Sequence, residues 1–344
     1  MSDVTIHVGD CIEQMRNIPD ESVDTVITSP PYWGLRDYGG DGKIWGYRYC
    51  YREDGEAYKH HEWEGYTRPS ENTRKNNNSL QLKSAYWEPQ EQAFCKHCDA
   101  WFGQLGLEPT HDQYVKNMVK VFDEVKRILK PEGTLWLNLG DSYCAGSRKS
   151  NVGQTMHDGD ERTLPTQMRN QASGSLKGKD LVGIPWRVAL ALQEAGWWLR
   201  QDIIWAKPNC MPESVKDRCT KNHEYMFLLT KSAHYYFDHE AIKEGENKRN
   251  KRSVWWVSPK PFSEAHFAVF PIDLIEPCVL AGSPVGGTVF DPFGGSGTTA
   301  IAAIKHGRKA ILTELSPDYV KIAEKRISDF KQATGLDKEG VEWL

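Results

Sequence analysis

Apolar residues along the chain fall into short blocks separated by polar stretches. Val4–Val8 is a β-rich run closed by Gly9-Asp10, and Val23-Asp24-Thr25-Val26-Ile27 is a second such run. A helical pattern lies between them, from Cys11 to about Arg16. The second run leads into Thr28-Ser29-Pro30-Pro31-Tyr32-Trp33. Two prolines cannot continue a central ladder, so the strand is predicted to stop at about Ser29, where a rigid loop begins. Tyr114, Val115, Met118, Val119, Val121, Phe122, Val125, Ile128 and Leu129 recur at helical spacing, and Lys130-Pro131-Glu132-Gly133 closes that helix. Thr134–Leu139 reads as a strand ending in Gly140-Asp141-Ser142, Pro185–Ala195 as a helix, and Trp198–Ile204 and His223–Leu229 as strands. The last block holds a strand (Thr288–Phe290), a glycine-rich loop, a helix, a strand (Lys309–Thr313) and a helix from Ser316 onward.

Strands alternating with helices specify an α/β fold, a mostly parallel doubly wound sheet with helices on both faces. Ligands of such sheets bind outside the carboxyl ends of the strands, so the chemistry is expected there. Two polar stretches interrupt the alternation. Residues 36 to about 94 are rich in Gly, Tyr, Asn, Lys and Glu without apolar periodicity, and Ala145–Lys179 is rich in Gly, Ser, Asn and Gln. They read as an insertion at 36–105 and a flexible loop at 145–180. The sheet and its helices then occupy 1–35, 106–144, 181–242 and 266–330, with a basic segment at 243–265.

Composition narrows the partners. The 344 residues carry 43 Lys and Arg against 47 Asp and Glu, a net charge of −4. A polycation is excluded, and contact with nucleic acid must come from local patches. Candidates are the run Lys243–Arg252, with Lys248, Arg249, Lys251 and Arg252 ahead of Trp255-Trp256, together with Arg148, Lys207 and Arg218. Each also reads as a solvated surface charge. Of the 13 Trp, Trp101, Trp136, Trp186 and Trp205 sit among apolar residues and read as core. Trp33, Trp45, Trp63 and Trp87 sit among Gly, Tyr and charge, where an aromatic either packs or stacks on bases. No apolar run approaches the roughly 18 residues of a membrane span. The N-terminus lacks a basic region followed by an apolar stretch, so a cytoplasmic protein is expected. Its eight Cys then read as thiols or metal ligands rather than disulfides.

Asp291-Pro292-Phe293-Gly294-Gly295-Ser296-Gly297-Thr298-Thr299 follows a buried strand and opens a helix. Glycines let backbone approach a ligand, and the helix N-terminus offers N–H donors. A P-loop would need Lys after the last glycine, and the dinucleotide spacing is absent. A nucleoside or amino-acid zwitterion remains. Glu314, ending the next strand, is placed to accept hydrogen bonds from ribose hydroxyls, or to cap the following helix.

These residues carry a resemblance. The loop from Asp291 to Thr299 is similar to the S-adenosylmethionine loop of the DNA amino-methyltransferases, and Thr28-Ser29-Pro30-Pro31-Tyr32-Trp33 resembles their catalytic motif. The catalytic motif precedes the cofactor loop, the order of the family's beta group. The resemblance implies a circularly permuted methyltransferase sheet, in which the C-terminal block supplies the first two strands, Val4–Val8 the third and Val23–Ile27 the fourth. It places Asp10 near the cofactor adenine and Glu314 on its ribose. Asp291, Phe293, Gly295 and Gly297 would line its methionine side, Thr298 would lie near its carboxylate, and Phe270, in a segment resembling the other cofactor motif, would close the pocket. Double-stranded DNA is the implied substrate, with a cognate restriction enzyme as a possible companion.

The resemblance also implies the chemistry. Ser29 and the carbonyl of Pro30, fixed by Pro31, would hold the amine of an extruded base on which Tyr32 stacks. Ser-Pro-Pro-Tyr resembles the cytosine-N4 subset, since adenine-N6 enzymes mostly have Asp or Asn at the place of Ser29. Other readings are an adenine-N6 DNA methyltransferase, an RNA or small-molecule methyltransferase on the same fold, a zinc-stabilised DNA-binding protein without activity, and carbon-5 methylation through a thiolate in Pro277-Cys278. Cys95-Lys96-His97-Cys98 is half a zinc site. His61 matches a ligand of related knuckles, but Lys59 stands where Cys is expected, so Cys50 and His60 are candidate replacements.

Overall fold

The computed structural model describes residues 3–34, 43–45, 50–51, 57–58, 100–144, 176–260, 270–336 and 342–343. The chain forms two compact units. One comprises residues 1–32, 118–142 and 183–344, and the other 33–117 and 143–182.

The first unit is built on a nine-stranded sheet. In chain order its strands are β1 (Val4–Val8), β2 (Val23–Thr28), β7 (Leu129–Leu139), β8 (Trp198–Ala206), β9 (His223–Thr230), β10 (Val254–Trp256), β11 (Thr288–Asp291), β12 (Lys309–Glu314) and β13 (Glu342–Trp343). Their spatial order is β10-β8-β9-β7-β2-β11-β12-β1-β13. β9 runs antiparallel to both β7 and β8, and every other pairing is parallel. The C-terminal strands β11 and β12 thus sit inside the sheet, between β2 and β1. β11 is covered on both edges and reads Thr-Val-Phe-Asp, the apolar run a buried parallel strand requires.

The helices are α1 (Cys11–Met15), α2 (His111–Ile128), α3 (Ile184–Glu194), α4 (Ile272–Gly282), α5 (Thr298–Lys305) and α6 (Pro317–Thr334). One sheet face presents Ile6, Ile27, Trp136, Met226, Leu228, Val289 and Leu312, which form one apolar cluster with Leu274 and Cys278 of α4, Ala300 and Ile304 of α5 and Ile327 of α6. Alternation turns Phe227 to the opposite face, where Trp186 of α3 packs edge-on against it at 5.2 Å between ring centroids. Among the described residues no helix is long and apolar enough to cross a membrane.

Several expectations change. β7 begins at Leu129, not Thr134. Leu129 pairs with Val23 and Thr134 with Thr25, so Lys130-Pro131-Glu132-Gly133 forms an irregularity inside the strand rather than a loop before it. Pro131 is tolerated there because the ladder is already broken. Trp186 is 38% exposed rather than core, because only one side of its ring meets Tyr225 and Phe227. Of the two readings open for Trp33 and Trp45, both take packing: each is buried.

Both tryptophans belong to the second unit, where β3 (Lys43–Trp45) pairs antiparallel with β6 (Trp101–Gly103) and β4 (Cys50–Tyr51) with β5 (Ala57–Tyr58). The Trp45 indole donates to the Gly103 carbonyl at 3.0 Å, and the Trp33 indole to the Glu108 carbonyl at 2.8 Å. The two ends of the second polar stretch meet: Cys144 N–H donates to the Asp180 carbonyl at 2.8 Å, and Tyr143 bridges Leu181.

At the amino-terminal edge of the sheet, Asp24 joins three strands. Its carboxylate accepts from Lys130 Nζ at 2.7 Å and from Thr288 N–H at 2.7 Å. Asp24→Ala leaves that amide unsatisfied and is expected to cost about 2 kcal/mol, read as a lower urea midpoint with no change at the opposite edge.

Candidate active site

The carboxyl edge of the sheet gathers side chains from seven strands. β2 ends at Ser29 and Tyr32, β11 at Asp291, β12 at Glu314, β1 at Asp10, β7 at Gly140-Asp141 and β8 at Lys207. β9 runs the other way, so its first residues, His223 and Glu224, come to this same edge.

Asp291 is buried and holds three hydrogen bonds. Oδ1 accepts from Thr28 Oγ1 at 2.6 Å and from Phe293 N–H at 3.0 Å, and Oδ2 accepts from Thr299 Oγ1 at 2.7 Å. One carboxylate therefore ties the end of β2 to the glycine loop and to the first turn of α5. Burial pushes its pKa up to about 6, against these three hydrogen bonds, which pull it down. A buried carboxylate of this kind gains from a cationic partner such as a ligand ammonium.

The loop itself is held from two sides. Glu314 Oε2 accepts from Gly295 N–H at 2.8 Å and Oε1 from Ser316 N–H at 2.8 Å. Burial pushes the Glu314 carboxyl up, opposed by those two amides. Arg326 of α6 donates to the carbonyl and hydroxyl of Ser296, both at 2.6 Å, and to Thr298 Oγ1 at 3.1 Å. Arg326 stands in an ordinary amphipathic helix, and nothing local in the sequence marks it as a clamp.

The two loop glycines differ in what they permit. Gly297 has φ +78°, and a Cβ there would lie 3.1 Å from Ala323 Cβ, so this glycine faces α6 rather than a ligand. Gly295 has φ +50°, and a Cβ there would come no nearer than 3.8 Å to the Phe293 carbonyl, so its open side suits a ligand. Phe293 and Gly295 are the partly exposed lip of the loop. Asp10 caps α1, accepting from Ile12 N–H at 3.1 Å and Glu13 N–H at 3.2 Å. Phe270 packs against the apolar cluster.

Tyr32 is more constrained than a loop residue beyond a strand. Its phenol lies 2.8 Å from Glu224 Oε2 and 3.0 Å from Asn138 Oδ1, and it accepts from Ser29 Oγ at 3.2 Å. Lys207 Nζ pairs with Glu224 Oε1. Any Cβ at residue 140 would meet the Tyr32 ring at 2.6 Å, so Gly140 makes room for it. Sequence reading missed Asn138, Gly140 and Glu224, and it left Lys207 as a candidate DNA contact or a solvated charge without its pairing to Glu224. The cue was the strand order, since an antiparallel strand returns its start to the site.

The other expected contacts divide. Arg218 donates to Glu213 at 2.6 Å, and Arg249 and Arg252 both pair with Glu244. Lys251 lies over the Trp255 ring at 5.1 Å, and Lys248 is exposed. Arg148, His61, Cys95, Cys98 and the side chain of Cys50 lie outside the described residues. Among the described residues no group of three or more His, Cys, Asp or Glu is placed to hold a metal ion. Cys278 is fully buried in α4, where burial drives its thiol well above the ordinary range. It lies in the apolar cluster on one sheet face, not at the carboxyl edge.

Because Asp291 titrates near 6 when folded, against 3.8 as its ordinary value, the folded chain keeps a proton that the unfolded chain has lost between those values. Stability from this group falls as pH rises through that window, by about 3 kcal/mol. Asp291→Asn is expected to flatten the difference in unfolding free energy between pH 4 and pH 7, measured in urea.

The comparisons with known proteins bear on family and fold. The DNA methylase family model for N6 and N4 methyltransferases matches residues 23–325. The chain is 39% identical over 330 residues to the Type II methyltransferase M.Cfr9I of Citrobacter freundii, covering 95% of this chain and 88% of that protein. It is 40% identical over 329 residues to the Type II methyltransferase M.SmaI of Serratia marcescens, covering 94% and 90%. Among solved structures, the cytosine-N4-specific PvuII DNA methyltransferase superposes with a TM-score of 0.56 at 18% identity, over 96% of this chain and 94% of that one. A Thermus thermophilus protein solved with S-adenosyl-L-methionine superposes at 0.55 and 21% identity, over 99% of each chain. At such identities the superpositions bear on the fold, while the family match and the two relatives decide the kinship: this chain belongs to the N6/N4 DNA methylase family.

Proposed function

We propose that this chain is a site-specific modification methyltransferase that moves a methyl group from S-adenosylmethionine to the N4 amine of a cytosine extruded from duplex DNA. The observation that carries the reading is the Thr28–Asp291 hydrogen bond of 2.6 Å, which fixes the strand end bearing Ser29 beside the glycine loop. The loop fits the cofactor. Gly295 leaves its outer side open, Asp291 is a buried carboxylate suited to the cofactor's ammonium, and Glu314 stands at the next strand end for ribose hydroxyls. The bound cofactor supplies a methyl group already activated on a sulfonium.

The protein's own part is orientation. An exocyclic amine is a poor nucleophile because its lone pair is delocalised into the ring. The Ser29 hydroxyl and the Pro30 carbonyl accept its N–H bonds and turn the lone pair toward the methyl group. Tyr32, its phenol anchored on Glu224 and Asn138, offers its ring to the extruded base. Ser29-Pro30-Pro31-Tyr32, which resembles the motif of the cytosine-N4 subset, supports cytosine. Lys248, exposed on the basic stretch 243–252, is a candidate for meeting phosphates. A restriction enzyme reading the same sequence is the expected companion, as it is for modification enzymes of this type.

Purified protein with unmethylated DNA and S-adenosylmethionine is expected to yield N4-methylcytosine on nucleoside mass spectrometry. N6-methyladenine would reassign the base, and no product would remove the activity. Cys278→Ser is expected to keep most of the transfer rate, since the reaction needs no thiolate. A folded but inactive Cys278→Ser protein, beside a wild type that yields 5-methylcytosine, would reverse the assignment. Gly295→Ala is expected to weaken cofactor affinity measured by calorimetry at least tenfold while costing about 1 kcal/mol of stability, the strain of a side chain at positive φ.

A further inference from the structure

Methyl transfer to an amine leaves one proton too many on nitrogen, and the strand edge holds a path for it. Ser29 Oγ donates to Tyr32 Oη at 3.2 Å, and Tyr32 Oη donates to Glu224 Oε2 at 2.8 Å. A phenol has one proton. Of its two acceptors, Asn138 Oδ1 at 3.0 Å and the carboxylate at 2.8 Å, the charged and closer one holds it more strongly. With its own proton directed at Tyr32, Ser29 presents lone pairs to whatever it faces, the arrangement an N–H donor requires. The side chain of Glu224 is 18% exposed, so the path ends where water reaches. Asn138 Nδ2 donates to the Tyr225 carbonyl at 3.1 Å, which keeps its own oxygen toward the phenol and fixes the Tyr32 ring.

We propose that Ser29, Tyr32 and Glu224 form a proton exit, with Glu224 the final acceptor and Lys207 the positioning residue that holds it. The inference rests on the amino-methylation reading. The amine nitrogen forms its bond to the methyl carbon as the carbon–sulfur bond breaks, the electron pair remaining on sulfur. The N–H proton then passes to Ser29 Oγ, the serine proton to Tyr32 Oη and the phenol proton to Glu224. Glu224 ends as a neutral acid and releases its proton to water; the hydroxyl protons rotate back, and no oxidant or reductant takes part. Tyr32 thus has two separable duties, a ring that receives the base and a hydroxyl that passes the proton.

Glu224→Gln separates proton acceptance from anchoring, because the amide oxygen still accepts the phenol hydrogen bond but cannot take its proton. Tyr32→Phe keeps the ring and cuts the path, and serves if the first variant folds poorly. Single-turnover methyl transfer to unmethylated genomic DNA is to be read beside S-adenosylmethionine affinity by calorimetry and DNA affinity by gel shift. Both variants are expected to slow transfer by about fivefold or more with both affinities unchanged, and the double variant to be no slower than the slower single one, as for groups acting as a unit. A smaller fall in either variant, a fall accompanied by lost affinity, or effects that multiply in the double variant would overturn the proton path. If the wild type transfers a methyl group and Glu224→Gln does so equally well, only the path fails; if the wild type transfers none, the amino-methylation reading fails with it.

Discussion

Much of the site depends on a single buried carboxylate. Asp291 stands at the end of a strand covered on both edges, where water cannot stabilise its charge, and it is kept by three hydrogen bonds from three different pieces of chain. Each partner does structural work of its own. Thr28 brings the turn bearing Ser29 to the glycine loop, Phe293 N–H shapes the loop, and Thr299 pins the start of α5. The raised pKa of this group records what burial costs, and a cation arriving beside it would recover part of that cost. A site that is slightly destabilised when empty and relieved when filled is one way a fold retains affinity for its ligand.

The glycine loop shows how closely packing and binding are interleaved. Gly297 is glycine because α6 lies against it, and Gly295 because the chain takes a positive φ there, with open space on its outer side. Arg326 grips Ser296 and Thr298 from behind, and Glu314 holds Gly295 from the side. The loop is thereby preorganised by neighbours that take no part in the chemistry.

The second centre of the site comes from the sheet's single reversal. Because β9 is antiparallel to both neighbours, Glu224 is delivered to the edge where every parallel strand ends. Lys207 follows β8 to the same edge, and Gly140 clears the space the Tyr32 ring occupies. Without that reversal Tyr32 would keep its ring at the strand end but lose the carboxylate that fixes its hydroxyl.

The sequence alone determined the main central strands and helices and the two motifs, but not the short strands β3, β4, β5, β6, β10 and β13. Hydrophobic periodicity located β1, β2, β8, β9, β11 and β12 to within a residue or two, because buried strands and amphipathic helices impose short-range patterns on the chain. The glycine loop and Ser-Pro-Pro-Tyr were legible for the same reason, since each is a local backbone requirement written in consecutive residues. The bulge at Lys130–Gly133 was not, because a proline that breaks a helix locally is indistinguishable from one tolerated at a strand irregularity. Nor was the partial exposure of Trp186; for Trp33 and Trp45 the sequence left packing beside stacking, and what decides for packing is the carbonyls of Glu108 and Gly103 that their indoles find across long stretches of chain. Asn138, Glu224, Lys207, Gly140 and Arg326 acquire their roles only from strand order and helix packing. Those roles depend on distances between residues far apart in the chain, and no local pattern of side chains encodes such a distance.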